Sequence, residues 1–198
     1  MRILHYIILS VIVALLGTGM HFFHHIEVSE RTWKMLCHFL PTGETCWEHL
    51  KLILYPMLIF AVVLWIKKGD ISGIGSPILA TTITIPLSIA LYYIFERITP
   101  EGEFIHDIVL YWVEIFFAVW LSLKWYDCAA IGRLWPLWIG VAAAWIAAFY
   151  ILTFHYPQNC SLFEVPAAWD AQHPAGEQEH HHHHHDHDHH HHHSHEHK

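Results

Sequence analysis

Charge is what this sequence has least of. Its 198 residues include 10 Lys and Arg and 18 Asp and Glu, so 14% of the chain is charged while 54% is hydrophobic. Average soluble domains carry about 25% charged residues. So few cations, with a formal net charge of −8, exclude a nucleic-acid partner. Cysteine is also scarce. Cys37, Cys46, Cys128 and Cys160 form no CxxC pair, which excludes a zinc finger or a dense disulfide framework. A Cys37–Cys46 bridge would need an oxidising face, and nothing in the sequence fixes their separation. No internal repeat is visible. Gly69, Gly73 and Gly75 lie between hydrophobic spans, not in the strand-to-helix setting of a phosphate loop.

What is present is a series of five long apolar segments: Ile3 to about Ile26, Cys46 to Ile66, Pro77 to Phe95, Phe104 to about Leu123, and Leu134 to Phe154. A helix of about 20 residues crosses a hydrocarbon core, and each segment approaches that length. Tryptophan and tyrosine gather near the segment ends, among them Trp33, Trp47, Trp65, Trp125, Trp135 and Tyr150, as in an interfacial aromatic belt. Arg2 and Gly17-Thr18-Gly19 also suit a signal peptide, but the apolar run continues to Ile26, so a retained helix is expected. Between the first two segments, Trp33, Leu36, Cys37 and Leu40 recur at helical spacing over Ser29–Leu40. That predicts a short amphipathic helix on the membrane surface, ended by Pro41. Thr45 and Glu48 fit a capping box. Pro56 and Pro86 should kink the second and third segments. The basic residues favour, by a slight bias, a cytoplasmic N-terminus and an outer C-terminus at the cell membrane: Arg2, Lys67, Lys68, Lys124 and Arg133 inside, and Arg31, Lys34, Lys51 and Arg97 outside.

Five crossings would bring most polar chemistry to one face. His21, His24 and His25 lie at i, i+3 and i+4 and share a stripe. Glu48 and His49 open the next helix on that face, and His106 and Asp107 open the fourth. Imidazoles and carboxylates so placed can ligate a divalent cation. They can equally hydrogen-bond within the bundle or meet headgroups, and Glu48 is also explained as a cap favoured by the helix dipole. On the fourth segment Asp107, Tyr111 and Glu114 form a second stripe. Glu114 lies about nine residues in, roughly 13 Å deep. A carboxylate at that depth must face the bundle, either partnered or protonated. Thr81, Thr82, Thr84 and Ser88 are the expected partners, and a role in moving a substrate, proton or ion is the alternative.

The C-terminus departs from all this. Fourteen of the last nineteen residues are histidine: His180, His181, His182, His183, His184, His185, His187, His189, His190, His191, His192, His193, His195 and His197. The first six match a purification tag. The run continues through Asp186, Asp188, Ser194 and Glu196, where a tag would stop, so a native tail is expected. Such a composition cannot build a core, and disorder is expected without a ligand.

The run Pro41-Thr42-Gly43-Glu44-Thr45-Cys46-Trp47-Glu48-His49-Leu50-Lys51 resembles an uncharacterised bacterial multi-pass membrane family. That family's signature is similar to Pro-Val-Asn-Glu-Ser-x-Trp-Glu-His-Leu-Lys followed by an apolar helix with a proline. Glu44, Trp47, Glu48, His49, Leu50 and Lys51 match. Thr42, Gly43 and Thr45 depart from it, although Thr45 keeps a capping hydroxyl. The resemblance implies a fold and a site location, and no activity. The His-rich tail is not part of its pattern.

These observations predict an all-α integral membrane bundle. Residues 1–156 would form five transmembrane helices with an interfacial helix, and residues 157–198 a disordered tail, His-rich from 180. The expected function is binding or transport of a divalent transition metal, Zn(II), Ni(II) or Co(II), because the ligand set is His-rich and Met-poor. Transport by so few helices without an inverted repeat would require a homo-oligomer or a membrane partner. The alternative is a non-transporting scaffold or accessory subunit. No nucleophile constellation accompanies Glu48 and His49, so an enzyme is the less favoured reading.

Overall fold

The computed structural model describes residues 3–23, 32, 36–41, 45–98, 104–155, 157 and 160–164; the side chains of Glu96 and of residues 104–107 fall outside that description. The described elements are α1 (Ile3–Phe22), α2 (Cys46–His49), α3 (Lys51–Lys68), a 3-10 turn (Ile71–Ile74), α4 (Gly75–Ile98), α5 (Phe104–Lys124), α6 (Ala129–Arg133), α7 (Trp135–Phe154) and a last 3-10 turn (Ser161–Phe163). No strand occurs among the described residues.

Local chemistry accounts for the boundaries. Thr45 caps α2 as expected, its Oγ1 accepting the Glu48 N–H at 3.3 Å. The second apolar segment is divided at Leu50, but Leu50 keeps right-handed helical angles (φ −63, ψ −21) and its N–H reaches Cys46 O and Trp47 O. The division is therefore slight. Gly69 ends α3 in the left-handed region at φ 68, donating to Ile66 O and Trp65 O, a conformation that costs a residue with a Cβ. The third segment begins earlier than expected, with helix from Gly75 preceded by the 3-10 turn. Pro77 is compatible with this because a helix's first-turn N–H groups have no intrahelical acceptor. Helix runs through both Pro56 and Pro86. Of the expected surface helix, Thr32 and Leu36 are helical and Cys37–Phe39 form a turn; its remaining residues lie outside the described ones.

Among the described residues, four helical stretches, where five were expected, are long and apolar enough to cross a membrane: Ile3–Phe22, Cys46–Lys68, Ile71–Phe95 and Trp135–Phe154. The described part of α5, which carries Glu114 and Lys124, is not among them. It is nonetheless a central packing partner, lying against α1, α3 and α4, while α3 touches α1, α4 and α5. The shared core takes Val13 and Ala14 from α1, Leu54, Met57 and Phe60 from α3, Ala80 and Ile85 from α4, Ile115, Ala118 and Val119 from α5, and Phe149 from α7. Outward surfaces of α1, α4 and α7 carry large apolar side chains such as Ile12, Leu16, Ile94, Leu137 and Ile151. That is the inverse of a soluble bundle and suits contact with lipid tails.

Three hydroxyls buried in this apolar setting are satisfied locally. Thr81, Thr84 and Ser122 donate to the carbonyls four residues back, at 2.8, 2.9 and 2.7 Å, so each of the three keeps a partner inside the bundle.

Candidate functional site

The ends of α1, α4 and α7 meet the start of α2. His21 stacks on His49 with ring centroids 5.3 Å apart. Tyr93 and Ser161 share a hydrogen bond of 2.9 Å. Thr153 donates to Glu48 Oε1 at 3.0 Å. These contacts gather polar side chains at one end of the bundle.

Glu48 and His49 adjoin in sequence and have different surroundings. Lys51 Nζ donates to Glu48 Oε2 at 2.7 Å, to Cys37 O at 3.1 Å and to Leu40 O at 3.4 Å. With Thr153 on the other oxygen, both Glu48 oxygens have protein donors. Lys51 has no exposed surface. A buried lysine must keep its charge compensated, and here one carboxylate and two carbonyls do so. Lys51 therefore clamps the 36–40 turn onto α2 and α3, and Tyr55 adds a hydrogen bond to His38 O at 2.8 Å. Counting Lys51 as a free interfacial cation is corrected by this burial. Trp47 is corrected in the same way. It is 5% exposed rather than set in an aromatic belt, and it stacks on Phe149 at 4.4 Å and meets Phe163 at 5.4 Å. The contact with Phe163 extends the packed part of the chain beyond residue 156. Beside the clamp, burial pushes the Cys37 thiol above its usual range, with the nearby Lys51 charge acting in the opposite direction.

His49 is held by a different contact. Its Nδ1 lies 2.9 Å from Thr45 O. A carbonyl can only accept, so Nδ1 carries the hydrogen, and a neutral ring has its lone pair on Nε2. The residue lines a cavity of about 90 Å³ with Cys46, Leu50, Leu52, Ile53, Ser88, Tyr92, Leu110, Tyr111 and Glu114. Glu114 is 4% exposed. Ser88 Oγ donates to its Oε2 at 2.9 Å, one of the partners expected from the sequence. Its Oε1 has no hydrogen-bond partner among the described residues. The other expected hydroxyls, of Thr81, Thr82 and Thr84, go to carbonyls of their own helix.

Among the described residues no group of three or more His, Cys, Asp and Glu stands close enough to hold a metal. His21 and His49 come together, and His49, Tyr111 and Glu114 share the cavity wall. Glu48 joins the Lys51 clamp. His24, His25 and the tail histidines from His180 to His197 lie outside the described residues, while His106 and Asp107 are placed only as backbone in the first turn of α5. Cys46, Ser88 and Tyr92 line the cavity without having been picked out as site residues. Cys46 could have been, since it stands one helical turn before His49.

No curated protein and no solved structure matches the chain. A sequence family described as "Family of unknown function (DUF6512)" matches residues 2–167. The earlier resemblance to an uncharacterised family agrees with that match, and the chain belongs to this family of unknown function.

Proposed function

We propose that this is a multi-pass membrane protein that binds a divalent transition-metal ion, Zn(II), Ni(II) or Co(II), at its histidine-bearing end and admits it toward Glu114. The observation that carries the reading is the single cavity lined by both His49 and Glu114. His49 donates one ring nitrogen to a backbone carbonyl, the orienting contact common in metal-binding imidazoles. His21 is its neighbour in space. Cys46 and Glu114 line the same wall, where an ion passing inward would meet donors in turn rather than as one ligand group, and the tail histidines would collect ions at the entrance. Glu114 offers an acceptor oxygen in surroundings where an unmatched carboxylate is costly, which favours an incoming cation or a proton.

In this reading α5 crosses the membrane as a fifth helix, with its polar stripe turned into the bundle. The N-terminus is cytoplasmic. Removing buried Lys51 from the outer basic residues leaves Arg31, Lys34 and Arg97 against Arg2, Lys67, Lys68, Lys124 and Arg133 inside, which sharpens the bias.

The test is metal retention by purified protein with residues 180–198 deleted. Stoichiometric Zn(II), Ni(II) or Co(II) after dialysis, lost in His49→Ala and Glu114→Gln, is the expected result. Loss of all metal with the tail would confine binding to the tail and remove the bundle site.

A further inference from the structure

Tyr111 lines the cavity, but its hydroxyl is engaged elsewhere. It lies 3.1 Å from Ala14 O on α1 and 3.4 Å from Leu52 O on α3. In an α-helix, the carbonyl of residue 52 accepts from the N–H of residue 56. Residue 56 is proline and has no N–H. Leu52 O is therefore a carbonyl left without its regular partner inside an apolar bundle, where such a group is expensive. The Tyr111 hydroxyl supplies the missing donor. It has one hydrogen, shared between the two carbonyls.

Gly17 makes room for this arrangement. A Cβ built on Gly17 would lie 1.9 Å from the Tyr111 hydroxyl oxygen and 2.8 Å from Leu52 O. Any side chain there would displace the hydroxyl. Gly17, Pro56 and Tyr111 thus form one joint, a space on α1, a missing donor on α3 and a replacement donor on α5. Tyr111 is also the place where α1, α3 and the cavity wall meet, since Leu52 lines the cavity as well.

We propose that Tyr111 is the lock of the cavity: by bonding the carbonyl that Pro56 leaves unpartnered it holds α1 and α3 against α5, and its release lets α3 swing at Pro56 and opens the way to Glu114. Tyr111 is a positioning residue in this scheme. The inference goes beyond metal binding and can be tested without any metal.

Cys46 lines the same cavity and is buried, while Cys37 is buried under the Lys51 clamp, outside the cavity lining. The experiment follows alkylation of both thiols by a small thiol reagent in the full-length, folded protein, resolved by peptide mass spectrometry. Tyr111→Phe removes only the hydroxyl. It should speed Cys46 labelling about fivefold, the change that losing one ordinary hydrogen bond makes in an opening equilibrium, and leave Cys37 unchanged. Pro56→Ala restores an N–H for Leu52 O, so in that background Tyr111→Phe should have a smaller effect on Cys46. Gly17→Ala presses on the same hydroxyl and should reproduce the selective acceleration, which keeps the test decisive if Tyr111→Phe folds poorly. Unchanged Cys46 labelling in both Tyr111→Phe and Gly17→Ala, equal acceleration of Cys37 and Cys46, or an undiminished Tyr111→Phe effect in the Pro56→Ala background would each overturn the lock. None of these results depends on whether the protein binds metal.

Discussion

Glu48 and Glu114 are both buried, at 6% and 4% exposure, and are provided for in different ways. Glu48 has a lysine on one oxygen and a threonine from α7 on the other. Glu114 has one serine, and an oxygen without a partner among the described residues. A carboxylate whose oxygens are matched by protein donors holds structure together, and a ligand would have to displace those donors. A carboxyl group left partly unmatched beside a cavity can bind something else. Burial alone does not separate these roles; the donors around each oxygen do.

The comparison can be broken most directly at Lys51. Lys51→Met leaves Glu48 buried without its cation and should lower stability by about 3–5 kcal/mol. Adding Glu48→Leu should recover much of that loss, because an apolar pair carries no unmatched charge. Reversible unfolding in mixed micelles measures both. If the double variant is no better than the single, Lys51 acts through packing and the ion pair is incidental.

A smaller effect sharpens the contrast between the two acids. Glu48→Gln should destabilise by about 1–3 kcal/mol, by weakening the acceptor for Lys51 and Thr153. Glu114→Gln should stay within about 0.5 kcal/mol of wild type, because the amide oxygen can still accept from Ser88 and no cation loses its partner. For metal retention by the tail-free protein the order reverses, with Glu114→Gln the damaging change. Equal stability losses from the two amides would mean that the carboxylates do not differ in kind.

Thr45→Ala should cost about 1 kcal/mol through loss of the α2 cap. It should also leave the His49 ring in place, since His49 is held by the backbone carbonyl of Thr45 rather than its hydroxyl. The smallest expected signal is chemical. Cys37 should alkylate far more slowly than exposed Cys128 at neutral pH. Its rate should keep rising at pH values above the ordinary thiol range, because burial raises its pKa and delays the thiolate. A Cys37 rate equal to that of Cys128 would mean that the clamp opens readily.

Local features were legible in the sequence, and distant partnerships were not. Helix limits followed from apolar runs and their terminators, so α7 begins within one residue of expectation and α5 runs one residue longer than expected. The Thr45 cap is a four-residue pattern, and its chemistry is complete within those four residues. The depth of Glu114 predicted an inward carboxyl with a hydroxyl partner, and Ser88 was among the few on offer. Nothing near Lys51 announced that it would be buried. Lysine beside a helix start looks like an interfacial cation, and its burial depends on carbonyls of Cys37 and Leu40 and on a carboxylate also bound by Thr153. Gly17 looked like part of a small-residue stretch. Its use appears only once Tyr111, nearly a hundred residues later, occupies the space beside it.

That separation has a consequence in time. Tyr6 donates to Phe116 O across 110 residues, and Tyr111 to Ala14 O across 97. Chains lengthen at about 5–20 residues per second. After α1 leaves the ribosome, on the order of 5–20 s therefore pass before the helix that grips it exists. During that interval α1 has to persist with no α5 beside it, which a bilayer would allow. Its mean hydropathy of 2.1 makes that wait tolerable.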